Sequence, residues 1–244
     1  MNKKILISLS IIGVVSAVAI GITVGYFSDT ESSIGNTFSA GEIDLKIDFH
    51  CKAPGCGWSL RDLDGDSFFK ECDVKPGDSK EGTISFHVYN NNAWGRIKLD
   101  HTHNYENACS EPETVYPDPN CGDPGDGQGE LGQNLKFTIW LDEGQTAGWQ
   151  CPENQAKCAA DPLEGDNELN GVETPLINDI SADQLVAAGW YVFPQEIQAS
   201  STYYVGVKWS LPSGTGNIAQ TDSFASWVVM EVVQSRDNSW PPTF

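Results

Sequence analysis

The stretch Ile43-Asp44-Leu45-Lys46-Ile47-Asp48-Phe49 alternates apolar with charged residues. Successive side chains of a β-strand point to opposite faces, so a period of two is typical of a strand with one buried face. Other stretches share this alternation and predict further strands over 84–88, 97–99, 135–141 and 203–209. The long, β-branched run over 224–233 predicts a central strand.

Turn residues separate these stretches. Lys75-Pro76-Gly77-Asp78 has proline and glycine at its second and third positions, as a type II turn requires. One helix is predicted over 181–188, with Ser181 as N-cap, Gln184 as its reciprocal partner and Gly189 as the stop. Many strands and one short helix predict an all-β fold, a jelly-roll-like β-sandwich. Its long disulfide-bearing loops would lie over 104–132 and 143–176.

The first 25 residues have the features of a signal peptide. Lys3 and Lys4 precede an uncharged, mostly apolar run over 5–24, and the chain turns polar after Gly25. We expect cleavage after Gly25 and export to the cell surface or medium, with an uncleaved membrane anchor as the alternative. Contact with a membrane is then expected only through this segment before cleavage. The remaining chain divides into an N-terminal segment over 26–40 and one β-sandwich domain over 41–244.

The charge balance bears on the choice of partners. The chain has 34 acidic and 14 basic residues, which gives a formal net charge of -20. Such a surface repels the phosphates of nucleic acids, so we expect no nucleic-acid partner. It favours solubility, and any polymer of such subunits needs specific, mostly apolar contacts to overcome repulsion between like charges.

The chain has seven cysteines, and in an exported protein they predict disulfide bonds. Cys109 with Cys121, and Cys151 with Cys158, are the expected local pairs. The other three are Cys51, Cys56 and Cys72, so one thiol is left over, either free or bonded to another molecule. A zinc site is the competing interpretation, but the chain contains no C-x2-C pair.

Candidate metal ligands are carboxylates on a turn. Asp62, Asp64 and Asp66 alternate around Gly65, as in the first half of a calcium-binding loop, where oxygens at positions 1, 3 and 5 converge on one cation. The loop is incomplete, because its sixth position is Ser67 and its twelfth is Asp73. Calcium is therefore the one cofactor that the sequence suggests. A weaker candidate consists of Asp123, Asp126 and Glu130.

Catalytic motifs are missing from the sequence. It contains no G-x-S-x-G and no H-E-x-x-H, and its four histidines include one closely spaced pair, His101 and His103. That pair could offer two metal ligands from one side of a strand, or could simply be exposed. We expect no enzymatic activity.

Several segments follow one another in a distinctive order and spacing: 26–31, 36–45, 74–78, 84–92 and 209–212, then Asn217, Gln220, Asp222-Ser223 and 234–238. Taken together, they resemble the TasA/camelysin family of secreted biofilm-fibre proteins, which includes archaeal bundling pilins. The resemblance covers most of the chain after residue 25 but not the cysteine-bearing loops.

The resemblance implies a jelly-roll sandwich that polymerises with itself by donor-strand exchange. The segment over 26–40, freed by signal-peptide removal, would insert as an extra strand into the next subunit. Tyr26, Phe27, Ile34 and Phe38 are its expected apolar anchors. Physical reasoning allows the same scheme, since a sandwich that lacks a strand exposes an apolar groove and unpaired backbone groups.

Two alternatives remain open at the level of sequence. The first is a monomeric cell-surface module that binds carbohydrate or a partner through exposed tryptophans: Trp58, Trp94, Trp149 and Trp190. The second follows from the resemblance, because some camelysin-type proteins are described as metallopeptidases. The sequence offers no glutamate between two metal ligands to support the second.

Overall fold

A computed structural model describes residues 28–31, 43–52, 56–115, 118, 120–121, 123–153 and 158–244. These residues form twelve strands and three short α-helices. The helices are α1 (Glu111–Val115), α2 (Leu131–Asn134) and α3 (Ala182–Ala188). The strands are β1 (Ser28–Glu31), β2 (Asp44–Cys51), β3 (Trp58–Arg61), β4 (Ser79–Tyr89), β5 (Ala93–Glu106), β6 (Gly125–Asp126), β7 (Lys136–Leu141), β8 (Cys151–Pro152), β9 (Pro175–Ser181), β10 (Tyr191–Val192), β11 (Ser201–Ser210) and β12 (Ser223–Gln234).

The strands form two sheets that pack face to face, which confirms the predicted β-sandwich. The smaller sheet has the order β1-β12-β5-β10, with β6 also paired to β5. The larger sheet has the order β3-β2-β4-β11-β7-β9, with β8 also paired to β11. All these pairings are antiparallel.

The core lies between the sheets and follows the alternation in the sequence. Leu45, Ile47 and Phe49 of β2 are almost completely buried. Across the core, the Phe86 and Phe193 rings meet edge to face, with centroids 5.2 Å apart, a favourable arrangement of two aromatic rings. Met230 belongs to the same cluster from the smaller sheet.

Local signals account for α3 and one turn. The Ser181 side chain accepts from the Gln184 amide, and the Gln184 side chain accepts from the Ser181 amide at 2.9 Å, which forms the predicted capping box. The helix ends at Gly189, whose φ is +69°. In the turn after Val74, Asp78 donates its amide to the Lys75 carbonyl at 2.9 Å, and Gly77 has φ +99°. Helices α1 and α2 are additions to the prediction.

Three disulfides lie in the described parts of the loops and at the end of β2. Cys109 is joined to Cys121 and Cys151 to Cys158, with Cα–Cα distances of 4.9 and 5.4 Å. These are the local pairs that the sequence predicts. Cys51 is joined to Cys56, so the remaining thiol is Cys72, which is exposed. Disulfides are compatible with an extracellular protein.

Most of the N-terminal predictions fall outside the described residues. The signal peptide over 1–25 and the anchors Tyr26, Phe27, Ile34 and Phe38 all belong there. Within the described ranges, no helix has the length and apolar character needed to span a bilayer.

Candidate functional site

The edge of the smaller sheet beside β12 is only partly occupied. On one side β12 pairs with β5 from Ser223 to Gln234. On the other side β1 pairs only with Met230–Val233. Among the described strands, none pairs with residues 223–229 on that side. The sequence predicts a central strand here, and β12 does lie between β1 and β5. Among the described strands, however, β1 pairs with only four of the twelve residues of β12.

A cleft of ≈ 1160 Å³ opens between the two sheets next to this edge. Residues 224–228 of β12 line it together with Leu99 of β5 from the smaller sheet. The opposite wall consists of apolar side chains from the larger sheet, including Phe137, Ile139 and Val207. The cleft is thus an opening in the sandwich core itself, lined in part by the residues of β12 that pair with no described strand on one side.

Several of the apolar residues that line this opening are less buried than the rest of the core. Leu99 and Val228 face each other on neighbouring strands and are half-buried, as is Phe137 across the cleft. Met230 and Val232, further along β12, are completely buried. An apolar strand laid in the cleft would bury these three side chains, which is favourable by about 25 cal/mol per Å² of apolar surface. The arrangement can therefore bind an extended, partly apolar peptide by adding a strand to the sheet.

The predicted calcium ligands lie elsewhere and have other partners. Asp66 accepts from the Arg61 guanidinium, with an Nε–Oδ2 distance of 2.9 Å, and Asp62 lies 3.5 Å from the Lys46 Nζ. Asp64 is exposed. The described residues contain groups of three potential ligands within 4.8 Å of one another, but none of these groups includes Asp62, Asp64 or Asp66. Calcium at this turn remains a prediction.

Another set of carboxylates does come together, at the end of the cleft where β12 begins. Glu106, Glu130 and Asp222 each have one oxygen within 4.8 Å of the others, and Glu106 forms a second such group with Glu113 and Asp118. Of these, only Glu130 is among the candidates predicted from sequence. Its predicted companion Asp126 instead lies 2.6 Å from the His103 Nδ1.

The histidines do not assemble a catalytic metal centre within the described residues, where the groups of potential ligands are all carboxylates. The His101 ring packs on Trp227, with centroids 4.2 Å apart. His87 lies between Asp48 and Glu153, at 2.9 and 3.0 Å. These contacts give His87 and His101 structural partners and supply no geometry for a peptidase.

The tryptophans considered for carbohydrate binding have internal contacts. Trp94 donates to the Asn238 carbonyl at 2.7 Å and its ring packs on Trp240 at 5.4 Å. Trp190 lies against the Arg96 guanidinium at 4.2 Å. Trp58 packs in an aromatic cluster with Phe49 and Phe68. These three rings are engaged within the domain, which weakens the case for a sugar-stacking platform.

No protein-family model matches this chain, and no curated protein matches it either.

Proposed function

We propose that this chain is the subunit of an extracellular fibre or bundling pilus that polymerises by donor-strand exchange. The segment over 26–40 of one subunit enters the cleft of the next and pairs with the open edge of β12. The observation that carries the proposal is that residues 223–229 of β12, which pair with no described strand on that side, lie beside an apolar cleft in the core. Export and a role in a biofilm matrix belong to the same proposal.

The energetics favour such an exchange. About ten added residues form several ladder hydrogen bonds, each worth about 0.5–1.5 kcal/mol net. Each buried aromatic or aliphatic anchor adds about 1.5–3 kcal/mol. These contributions offset the ordering of the segment and the repulsion between subunits that carry a net charge of -20. A head-to-tail contact of this kind does not close on itself, so it produces filaments.

β1 belongs to the segment over 26–40, so in the single chain four residues of that segment pair with the chain's own β12, at Met230–Val233. Among the described strands, none pairs with the part of this side that lines the cleft. Donation therefore requires β1 to leave its own β12, whose edge is then completed by a longer strand from a neighbour.

The donated strand needs a register different from that of β1. Ser28 pairs with Val233 and Glu31 pairs with Met230. If a donated strand kept this register, Ile34 would lie opposite Trp227. Val228, Met230 and Val232 pack against the core, and directly opposite residues of an antiparallel pair share a face. Ile34 and Phe38 therefore enter the cleft only if the donated strand is offset by an odd number of residues.

The test separates donation from acceptance. A chain that lacks 26–40 can accept a strand but not donate one, and a chain with Val228→Arg can donate but has a charged, obstructed cleft. We expect filaments from the unaltered protein by negative-stain microscopy, none from either variant alone, and a 1:1 complex when the two are mixed. Filaments formed by the chain without 26–40 would show that the proposal is wrong.

A further inference from the structure

Five carboxylates from separate segments meet beside the start of β12. Glu106 ends β5, Glu113 lies in α1, Glu130 precedes α2 and Asp222 precedes β12, with Asp118 in the intervening loop. They form two groups of three that share Glu106, and within each group one oxygen of every residue lies within 4.8 Å of the others.

Buried oxygens in this cluster have no partner. Glu106 is 1% exposed and Glu130 is 6% exposed. The Oε2 atoms of both, Asp222 Oδ1 and Asp118 Oδ2 are buried without a hydrogen bond among the described residues. The opposite oxygens are used: Glu106 Oε1 accepts from the Ala108 amide at 3.0 Å and Glu130 Oε1 from the Asn120 side chain at 2.9 Å. Each of these two side chains is therefore held in place with its second oxygen free for another ligand.

Within the part of the chain that the structure describes, no basic side chain forms an ion pair with the cluster. None of the ion pairs among the described residues includes any of its five carboxylates. Unpaired buried carboxylates are costly, and proteins stabilise them with a bound cation or with protons.

We propose that Glu106, Glu130 and Asp222 bind a calcium ion. Glu113 and Asp118, which form the second group with Glu106, add negative charge beside this site. All the donors are hard carboxylate oxygens, which suit calcium and exclude a preference for zinc. A crowded set of carboxylates on loops suits the flexible coordination of calcium better than the strict octahedron of magnesium, which retains several waters. This site is separate from Asp62, Asp64 and Asp66.

The position of the ion defines its role. The loop closed by Cys109 and Cys121 carries Glu113 and Asp118, whereas Glu106 and Asp222 belong to the paired strands β5 and β12 and their ends. Asp222 also accepts from the amides of Glu130 and Leu131, at 2.6 and 3.0 Å. An ion at Glu106 thus joins the disulfide-bearing loop to the sheet at the end of the cleft. The inference does not depend on the proposed polymerisation.

The test is calcium titration of the full chain after chelator treatment, by calorimetry and by thermal unfolding. We expect saturable binding and a rise in Tm of about 5–10 °C at 100 times Kd, measured against potassium chloride of equal ionic strength. A wild-type protein with no such response overturns the proposal. An equal response to magnesium chloride overturns the assignment to calcium.

Two matched pairs of variants locate the site. Glu106→Gln with Asp222→Asn removes two ligand charges at constant size, and should lower calcium affinity at least about 100-fold while raising the Tm without calcium. Glu168→Gln with Asp179→Asn makes the same change at two exposed carboxylates outside both candidate calcium sites and should leave the response intact. If this control pair abolishes the response, or if the first pair leaves it unchanged, the assignment to Glu106, Glu130 and Asp222 is wrong. If the first pair fails to fold, the absence of a response in the unaltered chain still overturns the proposal, and loss of the response in Asp62→Asn with Asp64→Asn overturns the assignment.

Discussion

Glu31 lies opposite Met230, which is the last pair of the β1–β12 ladder within the described residues. Strand β12 continues back to Ser223 with a strand on one side only among the described residues. The part of β12 beyond this pair includes residues 224–228, which line the cleft. A strand added along this part would gain ladder hydrogen bonds and apolar burial together.

A charged residue at either side of the proposed junction should block assembly. We expect Ile34→Asp, on the donated segment, and Val228→Asp, in the cleft, each to abolish filaments in negative-stain images. Burying an unpaired carboxylate costs several kcal/mol, which exceeds the gain from one anchor.

Val172→Asp is the matched control, since Val172 is 56% exposed and does not line the cleft. It should assemble normally. Filaments from Ile34→Asp and Val228→Asp at the normal yield would contradict the assigned junction.

Sequence patterns predicted those parts of the fold that depend on neighbours along the chain. Ser181 and Gln184 are three residues apart, so their capping box was recognisable without tertiary information. The alternation in β2 likewise identified Leu45, Ile47 and Phe49, which are buried in the core. The pairing of Cys51 with Cys56 rather than Cys72 was left open, because loop closure allows either.

The candidate sites depend on contacts that the sequence does not encode locally. Glu106, Glu130 and Asp222 come from three distant segments, and strand pairing between β5 and β12 brings two of them together. The alternation of Asp62, Asp64 and Asp66 was a local signal, but Arg61 and Lys46 supply basic partners for two of these residues. That β1 pairs with only four residues of β12 among the described strands could not be inferred from the β-branched composition of β12, which is equally suited to full pairing on both sides.

The register of the donated strand can be measured by cysteine cross-linking in a Cys72→Ser background. A chain with Ile34→Cys should form an intersubunit disulfide when it also carries Ser226→Cys or Val228→Cys, because an offset of one residue places Ile34 opposite one of these two positions. A chain with Ile34→Cys and Trp227→Cys should not cross-link. Non-reducing gels of assembled fibres give the readout, and a cross-link confined to the 34–227 pair would mean that Ile34 does not face the cleft.

Gly206 is expected to be intolerant of a side chain. It lies directly opposite Trp140 on β11 and β7, and a Cβ at this position would overlap the buried Trp140 indole. Gly206→Ala should lower the free energy of unfolding by about 1–3 kcal/mol or more, measured by denaturant titration. Gly214→Ala is the control, since nothing lies within 4 Å of its added Cβ. Equal stability of the two variants would contradict this packing.

The stability of the domain should fall as the pH rises from about 5 to 9. Burial, followed by the charges of Asp161 and Glu143, raises the pKa of Glu164 from 4.5 to about 9. Burial also raises the pKa of Glu173 to about 7. Between the unfolded and folded pKa values the folded chain holds more protons than the unfolded chain, so unfolding becomes easier with increasing pH.

Glu164→Gln tests this origin, because the amide keeps an acceptor oxygen but cannot ionise. The variant should be more stable than the unaltered protein at pH 8, with a Tm at least about 2–4 °C higher, and the two should converge near pH 4.5. Glu168→Gln is the control, since Glu168 lies in the same loop but is exposed, and a surface pair with Lys52 contributes little. Thermal unfolding in buffers from pH 4.5 to 9 gives the comparison. If Tm depends on pH in the same way for all three proteins, the pH dependence comes from groups other than Glu164. The next groups to test are Glu173 and His50. The pKa of His50 is raised by its hydrogen bond to Asp48.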